Sequence, residues 1–102
     1  MKYDVIVVGG GSAGSVVAAR VAEDPNKTVL LLEAGNDYPD LSNLPFDIQF
    51  GHTKGAEDVN SPHNWALNGT ITEEQGEIHV AQGKVIGGGG SINVQVFLRG
   101  VP

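Results

Sequence analysis

Val5-Ile6-Val7-Val8 runs without a break into Gly9-Gly10-Gly11-Ser12-Ala13-Gly14, so an apolar strand pattern empties directly into a glycine-rich turn. Consecutive rather than alternating apolar residues mark a strand buried on both faces, as at the centre of a parallel sheet, and the expected strand is Tyr3 to Val8. From Ser12 to about Glu23, the residues Ala13, Val16, Val17 and Val21 fall on one helical stripe, which Asp24-Pro25-Asn26 ends. "TVLLLE", Thr28 to Glu33, reads as a second buried strand. Strand, helix and strand make one βαβ unit, with parallel, adjacent strands and a right-handed crossover.

Inside that unit the glycines match G-x-G-x-x-G in the context that gives the match physical meaning. Gly9 permits the tight turn, Gly11 lets the backbone approach a pyrophosphate, and Gly14 lets helix and strand pack closely. A branched side chain at Gly11 is expected to be refused by the turn and by a diphosphate alike. The helix amino terminus carries an effective charge of roughly +0.5, so no basic side chain is needed to hold the anion. Glu33 stands 19 positions after Gly14, where a carboxylate accepts hydrogen bonds from adenosine ribose hydroxyls and repels a 2′-phosphate, which disfavours NADP. The bland reading is a tight strand-to-helix turn with a solvated Glu33, and the register of strand, glycines, helix and carboxylate argues against it. This half of the chain does not separate FAD from NAD.

After Gly35 the pattern dissolves. Residues 36–82 hold Pro39, Pro45 and Pro62 and no sustained period; Glu77 to Ala81 is the one short strand expected there. So long an irregular stretch either wraps a ligand or packs on other polypeptide. A second glycine-rich stretch follows, "GKVIGGGGSINVQVFLRG", residues 83–100, with four consecutive glycines. It is redundant in a compact nicotinamide-binding unit and useful where a longer cofactor lies across the domain. Its β-branched flanks set it apart from a flexible Gly/Ser linker. Beyond the glycines, Ile92, Val94, Val96 and Leu98 alternate like a strand, whereas Ile92, Val96 and Arg99 suit a helix stopped by Gly100 and Pro102; periodicity leaves both open.

The formal net charge of -6, with six scattered basic residues, argues against a nucleic-acid partner, which needs clustered Lys and Arg. No cysteine is present, which excludes disulfides and thiolate metal sites. His52, His63 and His79, spaced 11 and 16 apart, fit no zinc pattern and read as surface or loop histidines. No apolar run approaches the roughly 20 residues that span a bilayer, and the amino-terminal apolar stretch is broken early by glycine, as in a strand and unlike a signal peptide. A cytoplasmic location and no membrane partner are therefore expected, and Asn68-Gly69-Thr70 reads as a plain turn rather than a glycosylated sequon.

With "VIVVGGGSAG", "LLEAG", "NWAL", "GKVIGGGGSIN" and "RG" in this order, the sequence resembles the amino-terminal part of the glucose-methanol-choline oxidoreductases, FAD-dependent enzymes that oxidise alcohols. The resemblance implies an α/β, Rossmann-like FAD-binding domain, incomplete in this chain. It comprises a dinucleotide-binding unit at 1–35, a cofactor-wrapping segment at 36–82 and a second FAD motif at 83–100. It implies that Gly9, Gly11, Ser12, Ala13 and Gly14 meet the ADP diphosphate, with Glu33 and the adjacent Ala34 at the ribose. Lys84, Val85, Gly87 and Gly88 would bring a second set of backbone amides to the diphosphate and ribityl region. Gly90 would contribute backbone, and Asn93 with Val94 would lie near the flavin ring. Trp65 matches an aromatic position of the family, although on its own it reads as core packing. The family usually shows Gly-Gly-Ser-Ser where this chain has Gly87 to Gly90, and Ser91 offers one hydroxyl in compensation. Some relatives attach FAD through a histidine where Ile92 stands, so FAD is expected without a covalent link.

The resemblance implies an FAD-dependent alcohol oxidase or dehydrogenase, whose small-molecule alcohol gives a hydride to flavin. A hydroxynitrile lyase on the same scaffold, an NAD-binding module and a non-catalytic interaction unit are the alternatives. No catalytic residue is expected here, because the family's base histidine and its partner lie far towards the carboxyl terminus. Two parallel strands leave an unpaired edge, so the remaining polypeptide of the same enzyme, as a separate chain or a missing region, is the expected partner.

Overall fold

In the computed structural model, residues 1–100 are described; Pro102, one of the expected stop signals, lies outside them. Strand β1 (Val5–Val8), helix α1 (Ser12–Val21) and strand β2 (Val29–Leu32) form the expected unit. The strands are parallel neighbours in the register Val5↔Val29 to Val8↔Leu32. Their entry is clamped by Asp4 and Thr28: the Thr28 amide and hydroxyl both donate to Asp4 Oδ2 at 2.8 Å. Helix α1 ends where Asp24 Oδ1 accepts from the Asn26 amide at 3.0 Å, a local turn that competes with further helix.

Burial on both faces of the sheet does not occur. Val5 and Val7 are half-buried, whereas Ile6 is 56% and Val8 82% exposed. Helix α1 packs on this sheet, and on the other face Ile6, Val8 and Leu32 are exposed. The consecutive apolar run thus records a face that still lacks its cover.

Among the described residues the buried apolar side chains are Ala56, Val85 and Ile92, with Tyr38, Ile48 and Ala81 packed around them. This core lies beneath the irregular segment, which folds as short pieces: single turns at Leu41–Asn43, Gly51–Thr53 and Gly55–Glu57, and helix α2 (Phe46–Gln49). Asp40 starts the first turn by accepting from the Ser42 amide, and Pro45 precedes α2, both local start signals.

One strand was expected in this stretch, and two are present. Strand β4 (Glu77–Val80) pairs antiparallel with β3 (Leu67–Thr70), so Asn68-Gly69-Thr70 lies within a strand and the turn falls after it. The glycines themselves form a 3₁₀ turn at Gly88–Ser91, and the chain beyond it is neither strand nor helix through Gly100. Among the described residues no helix is long and apolar enough to cross a membrane.

Candidate cofactor site

The turn after β1 is built around Gly9, whose φ of +98° is open to glycine and strained for other residues. Gly11 has an ordinary φ of −74°, so the turn itself does not demand glycine there. At Gly14 a Cβ would collide with the Gly9 carbonyl oxygen, which is the close helix-to-strand approach expected of the third motif glycine. Helix α1 begins with no side chain capping it and no acidic residue in its first turn. Its amino-terminal N–H groups, including those of Ser12 and Ala13, are left for an anion.

Glu33 closes the other side of this turn. Its Oε2 accepts from the Gly10 amide at 2.6 Å and its Oε1 from the Gly35 amide at 2.9 Å. The Gly35 hydrogen bond holds the carboxyl below its usual value; partial burial opposes this, and the Gly10 and Ala34 amides reinforce it. Each oxygen retains a lone pair, so the anchored carboxylate can still accept from two hydroxyls.

The second glycine segment arrives alongside the first. Ile86 donates to the Asn36 carbonyl at 3.0 Å and Gly87 to the Gly10 carbonyl at 2.8 Å, with parallel bridges pairing Asn36 with Val85 and Gly11 with Gly87. Gly88, at φ +57°, sits so close that a Cβ on it would come 2.8 Å from the Gly11 Cα.

Between these segments lies a cleft of about 570 Å³. Gly9, Gly11, Glu33, Ala34 and Gly88 line it, as do Val8, Leu32, Trp65, Gln82, Gly83 and Gly89. The other candidates stand in different relations to it. Ser12 and Ala13 are exposed in the first turn of α1, and Gly14 lies beneath the turn. Lys84 holds its ammonium 4.9 Å from the Trp65 ring centroid. The Val85 side chain is in the core, and Gly87 meets Gly10 through its backbone. A Cβ on Gly90 would contact Ser12 Oγ at 3.5 Å.

Asn93 and Val94 do not line the cleft. Asn93 accepts from the Gln95 amide and donates to the Val96 carbonyl, while Val94 and Gln95 both take positive φ, +58° and +59°. For a β-branched residue this is a strained conformation.

Trp65 is not core packing: it is 47% exposed and forms part of the cleft wall. Its position in "NW" was the available signal, but an isolated aromatic is more often read as core. His63 lies in a turn, as a loop histidine would, but not at the surface. It is 2% exposed, with Nδ1 2.7 Å from Asp47 Oδ2 and Nε2 2.7 Å from the Tyr38 hydroxyl. Its partners are too distant in sequence to be found by spacing.

An uncapped helix start, an anchored carboxylate, a positive-φ turn and a cleft of ordinary ligand-site size fit the ADP portion of a dinucleotide.

A family model described as GMC oxidoreductase matches residues 3–102. The chain is 40% identical to an ecdysone oxidase of Spodoptera littoralis, covering 99% of this chain and 17% of the relative. It is also 40% identical to an oxygen-dependent choline dehydrogenase of Staphylococcus haemolyticus, with the same coverages. Among solved structures, pyridoxine 4-oxidase from Mesorbium loti superposes with a TM-score of 0.76 at 35% identity, over 99% of this chain and 19% of that one. A formate oxidase superposes with a TM-score of 0.67 at 38% identity, over 89% of this chain and 16% of that one. The chain thus spans less than a fifth of the length of these relatives.

Proposed function

Since the chain belongs to the GMC oxidoreductase family of FAD-binding enzymes, we propose that it holds the ADP portion of FAD in an enzyme that oxidises an alcohol. The observation that carries this reading is the meeting of the two glycine segments, Gly87 on Gly10 and Gly88 on Gly11, at the mouth of one cleft. A nicotinamide-binding unit needs only the first of them, and the family match also favours FAD over NAD.

In this reading the first turn of α1 directs its N–H groups at the diphosphate, and Glu33 accepts from the ribose hydroxyls. Trp65 closes the side of the cleft with its ring, and Lys84 brings a positive charge to the rim. Bound FAD would supply the acceptor for one hydride, that is, for two electrons and a proton. No catalytic base is assigned to this chain; His63 is buried with both ring nitrogens already engaged. Ile92 offers no nucleophile and lies in the core, which supports FAD held without a covalent bond.

The relatives named above are oxidases and a dehydrogenase, which favours net oxidation over cyanohydrin cleavage. Choline, ecdysone and pyridoxine all carry hydroxyl groups, and this chemistry supports an alcohol donor. The further partner is the rest of the enzyme. A Cα radius of gyration of 16.2 Å, against about 13 Å for a compact domain of this length, and the exposed Ile6 side chain, which lies outside the cleft, support a covering body of polypeptide.

The test is anaerobic spectroscopy of the protein purified as it occurs in its cell. A bound flavin bleached by an alcohol, and released intact by acid precipitation, is expected. A preparation without flavin, or a flavin reduced by formate and by no alcohol, would overturn the reading.

A further inference from the structure

Asn64 is 6% exposed, and its carboxamide is used on every side. Oδ1 accepts from the Ala66 amide at 3.1 Å and from the Gln82 amide at 3.0 Å. Nδ2 donates to the Glu57 carbonyl at 2.8 Å and lies 3.2 Å from the Asp58 carbonyl and 3.0 Å from His79 Nε2. Two backbone N–H groups facing one end of the amide identify that end as oxygen.

One side chain therefore ties together three backbone segments, at 57–58, at 66 and at 82. Two of these contacts bear on the cleft. The bond to the Ala66 amide closes a local side-chain turn, in which Ala66 takes a φ of +52°, a conformation that alanine seldom adopts unaided. That turn leaves Trp65 projecting with 47% exposure into the cleft wall. The bond to Gln82 runs beside the backbone bond from the Trp65 amide to the Gln82 carbonyl, 2.9 Å. Asn64 also bridges Gly83, and both Gln82 and Gly83 line the cleft.

We propose that Asn64 is a positioning residue for the cofactor cleft, setting the Trp65 ring and the Gln82–Gly83 backbone as a single wall. It touches no ligand itself and acts through Trp65. The inference rests on the reading that this cleft takes FAD, and it deepens that reading by naming what shapes the wall.

A double-mutant cycle separates this role from general support of the fold, because residues acting through one contact are non-additive. In the intact flavoprotein, Asn64→Ala is expected to weaken FAD binding about tenfold or more. In a Trp65→Leu background the same change should cost less than about threefold. Asn64→Ser, which keeps an oxygen able to accept from the Ala66 amide, should retain more affinity than Asn64→Ala and serves if the alanine variant does not fold.

A second readout is independent of the nucleotide. With fluorotryptophan incorporated, the fluorine resonance that vanishes in Trp65→Phe reports this ring alone, and it should shift or broaden in Asn64→Ser. Release of NAD, or of no nucleotide, by acid would defeat the FAD reading and leave the fluorine measurement to judge Asn64. Equal losses in both backgrounds, or an unchanged Trp65 resonance, would overturn the positioning role.

Discussion

Gly88 lies against Gly11, so close that a Cβ on Gly88 would come 2.8 Å from the Gly11 Cα. Two glycine segments far apart in sequence are thereby fused into one binding surface, and each glycine in it has a separable reason to be there.

At Gly88 the reason is the fold. With φ +57° and backbone for a neighbour, Gly88→Ala should destabilise the protein by about 1 to 3 kcal/mol. Gly89 has open space around it and no positive φ, so Gly89→Ala should change stability by less than about 0.5 kcal/mol. Chemical denaturation of the two variants checks the contrast, and equal effects would contradict it.

At Gly11 the proposed reason is the ligand. Its backbone is ordinary and a Cβ would find its nearest neighbour, the Gly88 Cα, at 3.8 Å. Gly11→Ala should therefore leave stability within about 1 kcal/mol, while the added methyl enters the space of the diphosphate. FAD affinity measured by titration of the apoprotein should fall about tenfold or more.

Glu33 links affinity to pH. The Gly35 hydrogen bond holds its folded pKa below the ordinary glutamate value, so the stability it contributes is present above the unfolded pKa and is lost as pH falls through the folded one. Glu33→Gln directs an amide where the Gly10 and Gly35 N–H groups need acceptors, and should weaken FAD binding by about 1 to 3 kcal/mol at neutral pH. The thermal midpoints of the two proteins should converge as the solution is acidified through that range; a constant gap would refute the assignment.

The βαβ unit was legible because its evidence is local: four apolar residues in a row, a helical stripe, and turn residues between them. Of the residues singled out by motif spacing and resemblance, Gly9, Gly11, Glu33, Ala34 and Gly88 line the cleft. Strand β3 was not, because Asn68-Gly69 has turn chemistry and becomes a strand only by pairing with His79 and Ile78. The exposed face of the first sheet was misread for the opposite reason. Composition records the burial that Ile6 and Val8 are suited to, while the described residues supply a cover for one face only. His63 and Trp65 exchanged their expected places: the one is buried against Asp47 and Tyr38, and the other stands half exposed in the cleft wall.

The Asp47–His63 pair provides the last prediction. Burial alone would raise the Asp47 carboxyl, but the hydrogen bond and charge of His63, with the Ser61 hydroxyl, outweigh it and hold the group below the ordinary aspartate value. The contribution of Asp47 is then present above the unfolded pKa and disappears as pH falls through the folded one. Asp47→Ala leaves the 2%-exposed His63 without its carboxylate, and breaking such a pair costs about 3 kcal/mol. The exposed Arg20–Glu23 pair, with side chains 75% and 64% accessible, should by contrast contribute less than about 1 kcal/mol. Because the His63 carbonyl accepts from the Lys84 amide at 2.7 Å, loosening His63 also releases the strip that carries the second glycine segment. Asp47→Ala should thus lower both the thermal midpoint and FAD affinity, whereas Arg20→Ala should alter neither appreciably. Denaturation and flavin-release measurements on the two variants would show this, and an Asp47→Ala protein with undiminished FAD affinity would sever the connection between the buried pair and the cleft.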